Sequence, residues 1–210
     1  MTATFLELWS VTANIREDPT PFLENGCTAA TDGYVQPFAE SPLDGEQVAE
    51  SVFLNMISHA KKYIWFMSPY LMITDEMNRA LGLAAKRGVD VRIITPGIPD
   101  KKTVYTVTRS YYSNLVSQGV RIYEYAPGFC HAKQCVCDGE LACIGTSNLD
   151  YRSLYLHFEN NVLLYQCAAI QDMKQDFEET FSLSTEVTNR YRSVMMRTWQ
   201  CILRLFAPML

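Results

Sequence analysis

The chain has 210 residues, 48% hydrophobic and 20% charged, with a formal net charge of −5. This length and balance suit one folded domain with a real core, or one large half of a two-lobed enzyme, and exclude a disordered chain. The acidic balance argues against a general nucleic-acid binder, whose footprint is basic, although a local basic site can sit in an acidic protein.

Residues 1–33 read as a linker or as the remnant of a preceding half. Phe5-Leu-Glu-Leu-Trp9 suggests a helical end too short to fold alone. Turn signals follow at Asp18-Pro-Thr-Pro21, Asn25-Gly26 and Asp32-Gly33. The start carries Glu7 and no basic residues, unlike a signal peptide. No run of roughly 18 apolar residues occurs, so no segment is expected to span a bilayer.

Compact structure is expected from Tyr34 onward. A helix is predicted over 45–62, with Val48, Val52, Leu54, Met56 and Ile57 on its apolar side. A strand over 63–67 stops at Ser68-Pro69. A helix over 74–87 has Thr74 as N-cap and Gly88 as its close. A strand over 89–95 ends at Pro96-Gly97, a helix over 102–118 ends at Gly119, and a strand covers 120–125. This alternation predicts a mostly parallel sheet with crossover helices.

The rhythm then changes. Short strands over 133–137 and 141–144 flank a hairpin turn at Asp138-Gly139-Glu140. A strand over 158–165 and a helix over 168–181 follow. The catalytic domain is therefore placed at 34–183. Residues 184–210 are read as an amphipathic C-terminal helix, mixing Arg190, Arg192, Arg197 and Arg204 with Trp199, Leu203 and Phe206. Its apolar stripe is read first as packing on a domain, with an interfacial membrane helix as the alternative.

The seven cysteines are Cys27, Cys130, Cys135, Cys137, Cys143, Cys167 and Cys201. An odd count without a disulfide framework reads as reduced thiols in a cytosolic setting. Cys135 and Cys137 share a strand face, but C-x-C without a second pair is a weak zinc signal. Small apolar core residues are the stronger reading.

The block that carries chemistry is His131-Ala-Lys133, then Asp138, then Gly145-Thr-Ser-Asn148. A histidine and a lysine two apart on an extended strand share a face. Cleavage of a phosphate diester needs a nucleophile, stabilisation of the non-bridging oxygens and an acid for the leaving group. His131 can attack once a neighbour fixes its tautomer, and Lys133 supplies positive charge. Gly145 lets backbone approach a ligand, while Thr146 and Asn148 add neutral donors. Glu159, opening a nearby strand, is expected to orient His131. Any of these residues alone is ordinary, and for Asp138 beside Gly139 a role in the turn alone is an equal reading. His59-Ala-Lys61 is an internal control: H-x-K in a helical pattern, with neither the aspartate nor the glycine turn after it.

At these residues the chain resembles the phospholipase D superfamily, marked by the HKD motif. Further segments, among them Tyr34-Val-Gln-Pro-Phe38, Ala85 to Gly97, Arg109-Ser-Tyr-Tyr112, Gly119 to Tyr125 and Asn148 to Ser153, look like the C-terminal catalytic half of bacterial cardiolipin synthases. The resemblance implies an α/β/α sandwich with a mixed, largely parallel central sheet. It implies His131 as the reacting residue, through a phosphohistidine or as acid and base. Lys133 and Asn148 would hold phosphate oxygens, Glu159 would orient the histidine, and Asp138 would support. Gly145 and Thr146 would bind substrate. A phosphatidyl group would pass between two phosphatidylglycerols with release of glycerol, at a membrane surface and without metal or cofactor. The family pairs two HKD motifs and this chain carries one. A second half or a second copy is therefore expected, from a chain starting just after the first half or from a homodimer. The alternatives are a homodimeric phosphodiesterase or nuclease, and a non-catalytic remnant.

Overall fold

The computed structural model describes residues 1–23 and 32–188. In chain order the elements are α1 (Thr2–Ala13), α2 (Thr20–Leu23), β1 (Tyr34–Glu40), α3 (Val48–His59), β2 (Tyr63–Met67), β3 (Leu71–Met72), α4 (Asp75–Lys86), β4 (Asp90–Pro96), α5 (Lys102–Ser117), β5 (Arg121–Tyr125), β6 (Gln134–Cys137), β7 (Leu141–Gly145), β8 (Leu149–Asp150), α6 (Tyr151–Tyr155), β9 (Glu159–Tyr165), α7 (Ala169–Ser182) and β10 (Ser184–Glu186).

Eight strands form one sheet in the order β1-β9-β7-β6-β2-β4-β5-β10. Strand alternation divides the core between its two faces. Ile64, Phe66, Val91, Ile93, Ile122 and Cys135 pack under α3, α4 and α5. Trp65, Met67, Ile94, Tyr123 and Val136 meet Ile170 and Phe177 of α7 on the other face. The α/β/α sandwich is therefore as expected. Cys135, Cys137 and Cys143 are buried in the first of these cores, as small core residues should be.

The direction of the sheet differs from the expectation. Two pairings, β2–β4 and β4–β5, are parallel, as the strand–helix alternation requires. The pairings β1–β9, β9–β7, β7–β6, β6–β2 and β5–β10 are antiparallel. The mixed sheet is thus largely antiparallel. The cause is the tight β6–β7 turn, which returns the chain beside itself and allows no crossover. Asp138 and Gly139 hold that three-residue turn in the left-handed region at φ 53° and 74°, and the Glu140 N–H closes it on the Cys137 carbonyl at 3.0 Å.

Local capping follows the sequence. Thr74 Oγ1 accepts the Met77 N–H at 3.2 Å, and Asp75 and Glu76 sit in the first turn of α4 with Lys86 in the last, each favourable to the helix dipole. Glu40, buried at the end of β1, accepts the Val48 and Ala49 N–H groups and so caps α3 from the end of the preceding strand. At the C-terminal side, Ser184–Glu186 is a strand on β5 and not the start of a helix. An Arg121–Glu186 ion pair at 2.8 Å fastens it, carrying the sheet past residue 183. The helix expected over 187–206 falls mostly on 189–210, outside the described residues. Val187 and Thr188 are not helical.

Candidate active site

One end of the sheet gathers most of the singled-out residues. It holds the carboxyl ends of β2, β4 and β7 and the amino ends of β6 and β9, the end where ligands bind in open α/β sheets. His131 and Lys133 lie just before β6, in extended approach and outside the strand proper. The Lys133 carbonyl accepts the Gly145 N–H at 3.2 Å, joining this approach to the end of β7. Lys133 Nζ donates to the His131 carbonyl at 2.8 Å, which folds the ammonium back beside the histidine.

Burial pulls the His131 imidazole below its ordinary pKa, and the Lys133 charge pulls it further, against a weaker opposing pull from Asp100. Both effects favour the neutral ring, which carries a lone pair for attack. Burial also lowers the Lys133 pKa, while Glu159 and Asp150 act to keep its charge. Phe129 packs on the His131 ring with centroids 5.6 Å apart.

Gly145 is required by close approach. A Cβ there would lie 2.2 Å from Asn161 Oδ1 and 2.4 Å from the Asn160 carbonyl. The following residues are pinned from β9. The Thr146 N–H donates to the Asn160 carbonyl at 3.0 Å, and the Asn160 N–H to Thr146 Oγ1 at 2.9 Å. Ser147 and the buried Asn161 exchange two further bonds. Asn148 Nδ2 donates to Ser153 Oγ at 3.0 Å, while Asn148 Oδ1 is buried without a partner. An unpaired buried amide group is costly, and a ligand relieves that cost. Because the Ser153 hydroxyl can donate or accept, a half-turn of the amide would present Nδ2 to a phosphate oxygen instead.

Two placements differ from the expectation. Glu159 is buried at the start of β9, yet its carboxylate meets His157 Nδ1 at 3.5 Å and makes no hydrogen bond or ion pair with His131. Its field acts on Lys133. Asp138 lies at the other end of β6, about 16 Å along the strand from Lys133 at ~3.3 Å per residue. There its two oxygens accept the N–H groups of Lys61, Lys62 and Tyr63, each at 2.8 Å. Asp138 is a clamp on the α3–β2 loop, because its turn sits at the far end of the hairpin. The control motif behaves as expected: His59 is exposed at the end of α3.

Some residues at this end were not singled out by sequence. Asp150 accepts the Ser153 N–H at 2.7 Å, capping α6, and also acts on Lys133. The D-x-x-S cap spacing was its available signal. Ser68 Oγ accepts the Leu149 N–H at 3.0 Å and donates to the Tyr70 carbonyl. Tyr70 donates to Asp100 at 2.6 Å, and that hydrogen bond reinforces burial in pushing the phenol up to about 12. Neither contact has a local sequence signature. Among the described residues, no group of three His, Cys, Asp or Glu could hold a metal ion, and no helix is long and apolar enough to cross a membrane.

Comparison with known proteins gives the family. The chain is 42% identical over its whole length to an uncharacterised protein of Streptococcus mutans, covering 46% of it. It is 38% identical over 184 residues to cardiolipin synthase of Halalkalibacterium halodurans, matching 85% of this chain and 36% of that one. The chain thus spans less than half the length of these relatives. Among solved structures, the fold matches Nuc, a phospholipase D family member from Salmonella typhimurium, with a TM-score of 0.62 at 20% identity, over 76% of this chain and 99% of that one. A family model described as the phospholipase D-like domain of cardiolipin synthase covers residues 53–181, six of the sheet's eight strands and every site residue above, and the chain belongs to this branch of the phospholipase D superfamily.

Proposed function

We propose that this chain is one half of a phosphatidyltransferase site, corresponding to the C-terminal half of a cardiolipin synthase. The observation that carries the reading is His131 and the Lys133 ammonium held together at one sheet end, with the Gly145–Asn148 turn tied to them through the Lys133 carbonyl. His131 attacks the phosphorus of one phosphatidylglycerol, the bond from phosphorus to the glycerol oxygen breaks, and an acid returns a proton to that oxygen. The hydroxyl of a second phosphatidylglycerol then gives up its proton and displaces the imidazole, forming cardiolipin. Lys133 and the Asn148 amide hold the non-bridging oxygens, and Thr146 lies beside them. Glu159 and Asp150 keep Lys133 charged. The leaving-group acid comes from a second motif, in another half or another copy, and the reaction takes place at a phospholipid surface. The net charge of −5 weighs against a nucleic-acid substrate for the same chemistry.

The test is cardiolipin formation by the purified chain on phosphatidylglycerol vesicles, with His131→Ala as control. Product from the native chain but not from His131→Ala supports the reading. If there is no product, a first half is added separately. Transfer restored by that addition supports the reading, and its absence in both experiments overturns it.

A further inference from the structure

Beside the site, a cavity of about 660 Å³ runs between α1, the end of β1 and the loop before β9. That size is within the ordinary range for a small-molecule pocket. Its apolar lining comes from Leu8 and Val11 on α1, from Ala39 and Leu43 around the end of β1, and from Phe158. Leu43 and Val11 are both 82% exposed and Phe158 is 49% exposed, so apolar surface here faces water. Contiguous exposed apolar surface of this kind marks an interaction site.

The position of the cavity identifies its occupant. Phe158 is bonded to Glu159, and Glu40, another lining residue, lies directly opposite Glu159 in the β1–β9 ladder. From Lys133, beside β6, to β1 is three strand spacings, about 14 Å at ~4.8 Å each. An acyl chain, half of a bilayer's ~30 Å hydrocarbon core, is about 15 Å long. A phosphate held at Lys133 can thus carry a tail that reaches and fills the cavity. Charge sets the orientation. Glu7 and Asp44 line the cavity and repel a phosphate, whereas Lys133 attracts one.

We propose that this cavity seats one acyl chain of the phospholipid whose phosphate is held at His131 and Lys133. The inference deepens the functional reading above and rests on it. The seat lifts one tail out of the bilayer and holds the diester over the imidazole.

The experiment measures dissociation constants for monomeric dihexanoyl- and dioctanoyl-phosphatidylglycerol and for the deacylated headgroup glycerophosphoglycerol, by NMR titration of the full chain. Leu8→Glu and Val11→Glu are measured beside it. Both positions are on α1, outside the catalytic residues, and both are partly or well exposed, so the fold tolerates the change. Burial of tail in the seat tightens binding by about fourfold per methylene. The native chain is expected to bind the dioctanoyl lipid at least tenfold more tightly than the dihexanoyl one. Both variants are expected to lose that chain-length dependence while binding the headgroup unchanged. Headgroup binding that does not depend on tail length overturns the seat and leaves the functional reading standing. Binding of neither lipid nor headgroup overturns both. Tail-dependent binding that both glutamates leave intact places the tail elsewhere and overturns the seat. A native dimer that either variant turns into a monomer in light scattering gives the cavity to a second copy, and also overturns it.

Discussion

Replacing Asp138 separates a structural from a chemical role for the motif aspartate. Its carboxylate accepts three backbone N–H groups at 2.8 Å each, at the α3–β2 loop. A hydrogen bond to a charged group contributes about 1.5–3 kcal/mol when well shielded. Asp138 is only half-buried, so solvent screening reduces each to the lower end or below. Asp138→Ala loses all three bonds and places a Cβ residue without a polar side chain at φ 53°. That conformation costs about 1–2 kcal/mol, so the whole loss is roughly 3–5 kcal/mol. Asp138→Asn tolerates the conformation and keeps one acceptor oxygen, so its loss is about 1–2 kcal/mol. For a chain of this size that lowers the melting temperature by roughly 2–8 °C. Burial pushes the Asp138 pKa up, but the three N–H donors together draw it below the ordinary value. A carboxyl group depressed in this way stabilises the fold above its unfolded pKa, and the contribution disappears as pH falls through the folded one. The gap between native protein and Asp138→Asn should therefore be full at pH 7 and close below about pH 4. Urea denaturation at several pH values measures it, alongside transfer per folded molecule, which should not change. An Asp138→Asn protein of native stability that has lost transfer would refute the clamp.

Other substitutions probe the opposite end of the sheet. Gly145→Ala forces a Cβ against Asn161 and the Asn160 backbone. It should cost about 1–3 kcal/mol as overpacking, seen in urea denaturation, and should displace the Thr146–Asn148 turn. Lys133→Ala removes a charge that depresses the His131 pKa, so that pKa should rise toward 6.5 in an NMR titration. A fall or no change would place the lysine elsewhere. In the native chain, transfer should decline as pH drops below about 6.5, because a protonated imidazole has no lone pair to attack with. Glu159→Gln withdraws a charge that supports protonated Lys133. The alkaline limb of the pH profile should then move to lower pH.

Most of the local structure was legible because its causes are local. Thr74 caps α4 and Asp138-Gly139 turn the hairpin through backbone preferences that each residue carries with it. The site's position was legible for a related reason: H-x-K before a strand and G-T-S-N after its hairpin partner must meet at one end of the sheet. What escaped was set at long range. The antiparallel β1–β9 pairing joins residues more than a hundred apart, and Glu40 caps a helix it does not precede directly. Asp138 reads as a supporting member of the site or as a turn residue, because spacing in sequence does not say which end of a strand a residue occupies; the turn reading fits its place at the far end of the hairpin. Glu159 was assigned to His131 on the same kind of nearness, and three-dimensional packing turns it to His157 instead. Val187 and Thr188 look helical by composition, yet Ser184–Glu186 just before them had already joined the sheet.

The geometry of His131 bears on how many copies act together. A neutral imidazole can be the nucleophile, but the same ring cannot also deliver a proton to the departing glycerol oxygen in that step. Lys133 is tied to the His131 carbonyl and serves as a charge. On the proposed mechanism a second acid faces the first ring, and a two-fold pairing of copies would supply it with a second His131. This has a numerical consequence wherever the chain alone is active. Native protein mixed with equal His131→Ala, allowed to exchange freely, gives pairs in a ratio of about 1:2:1. If both histidines are needed, only the native pairs work, and activity falls to about one quarter of that of native protein at the same total concentration. If each copy acts alone, about one half remains, and the requirement for two facing histidines is refuted.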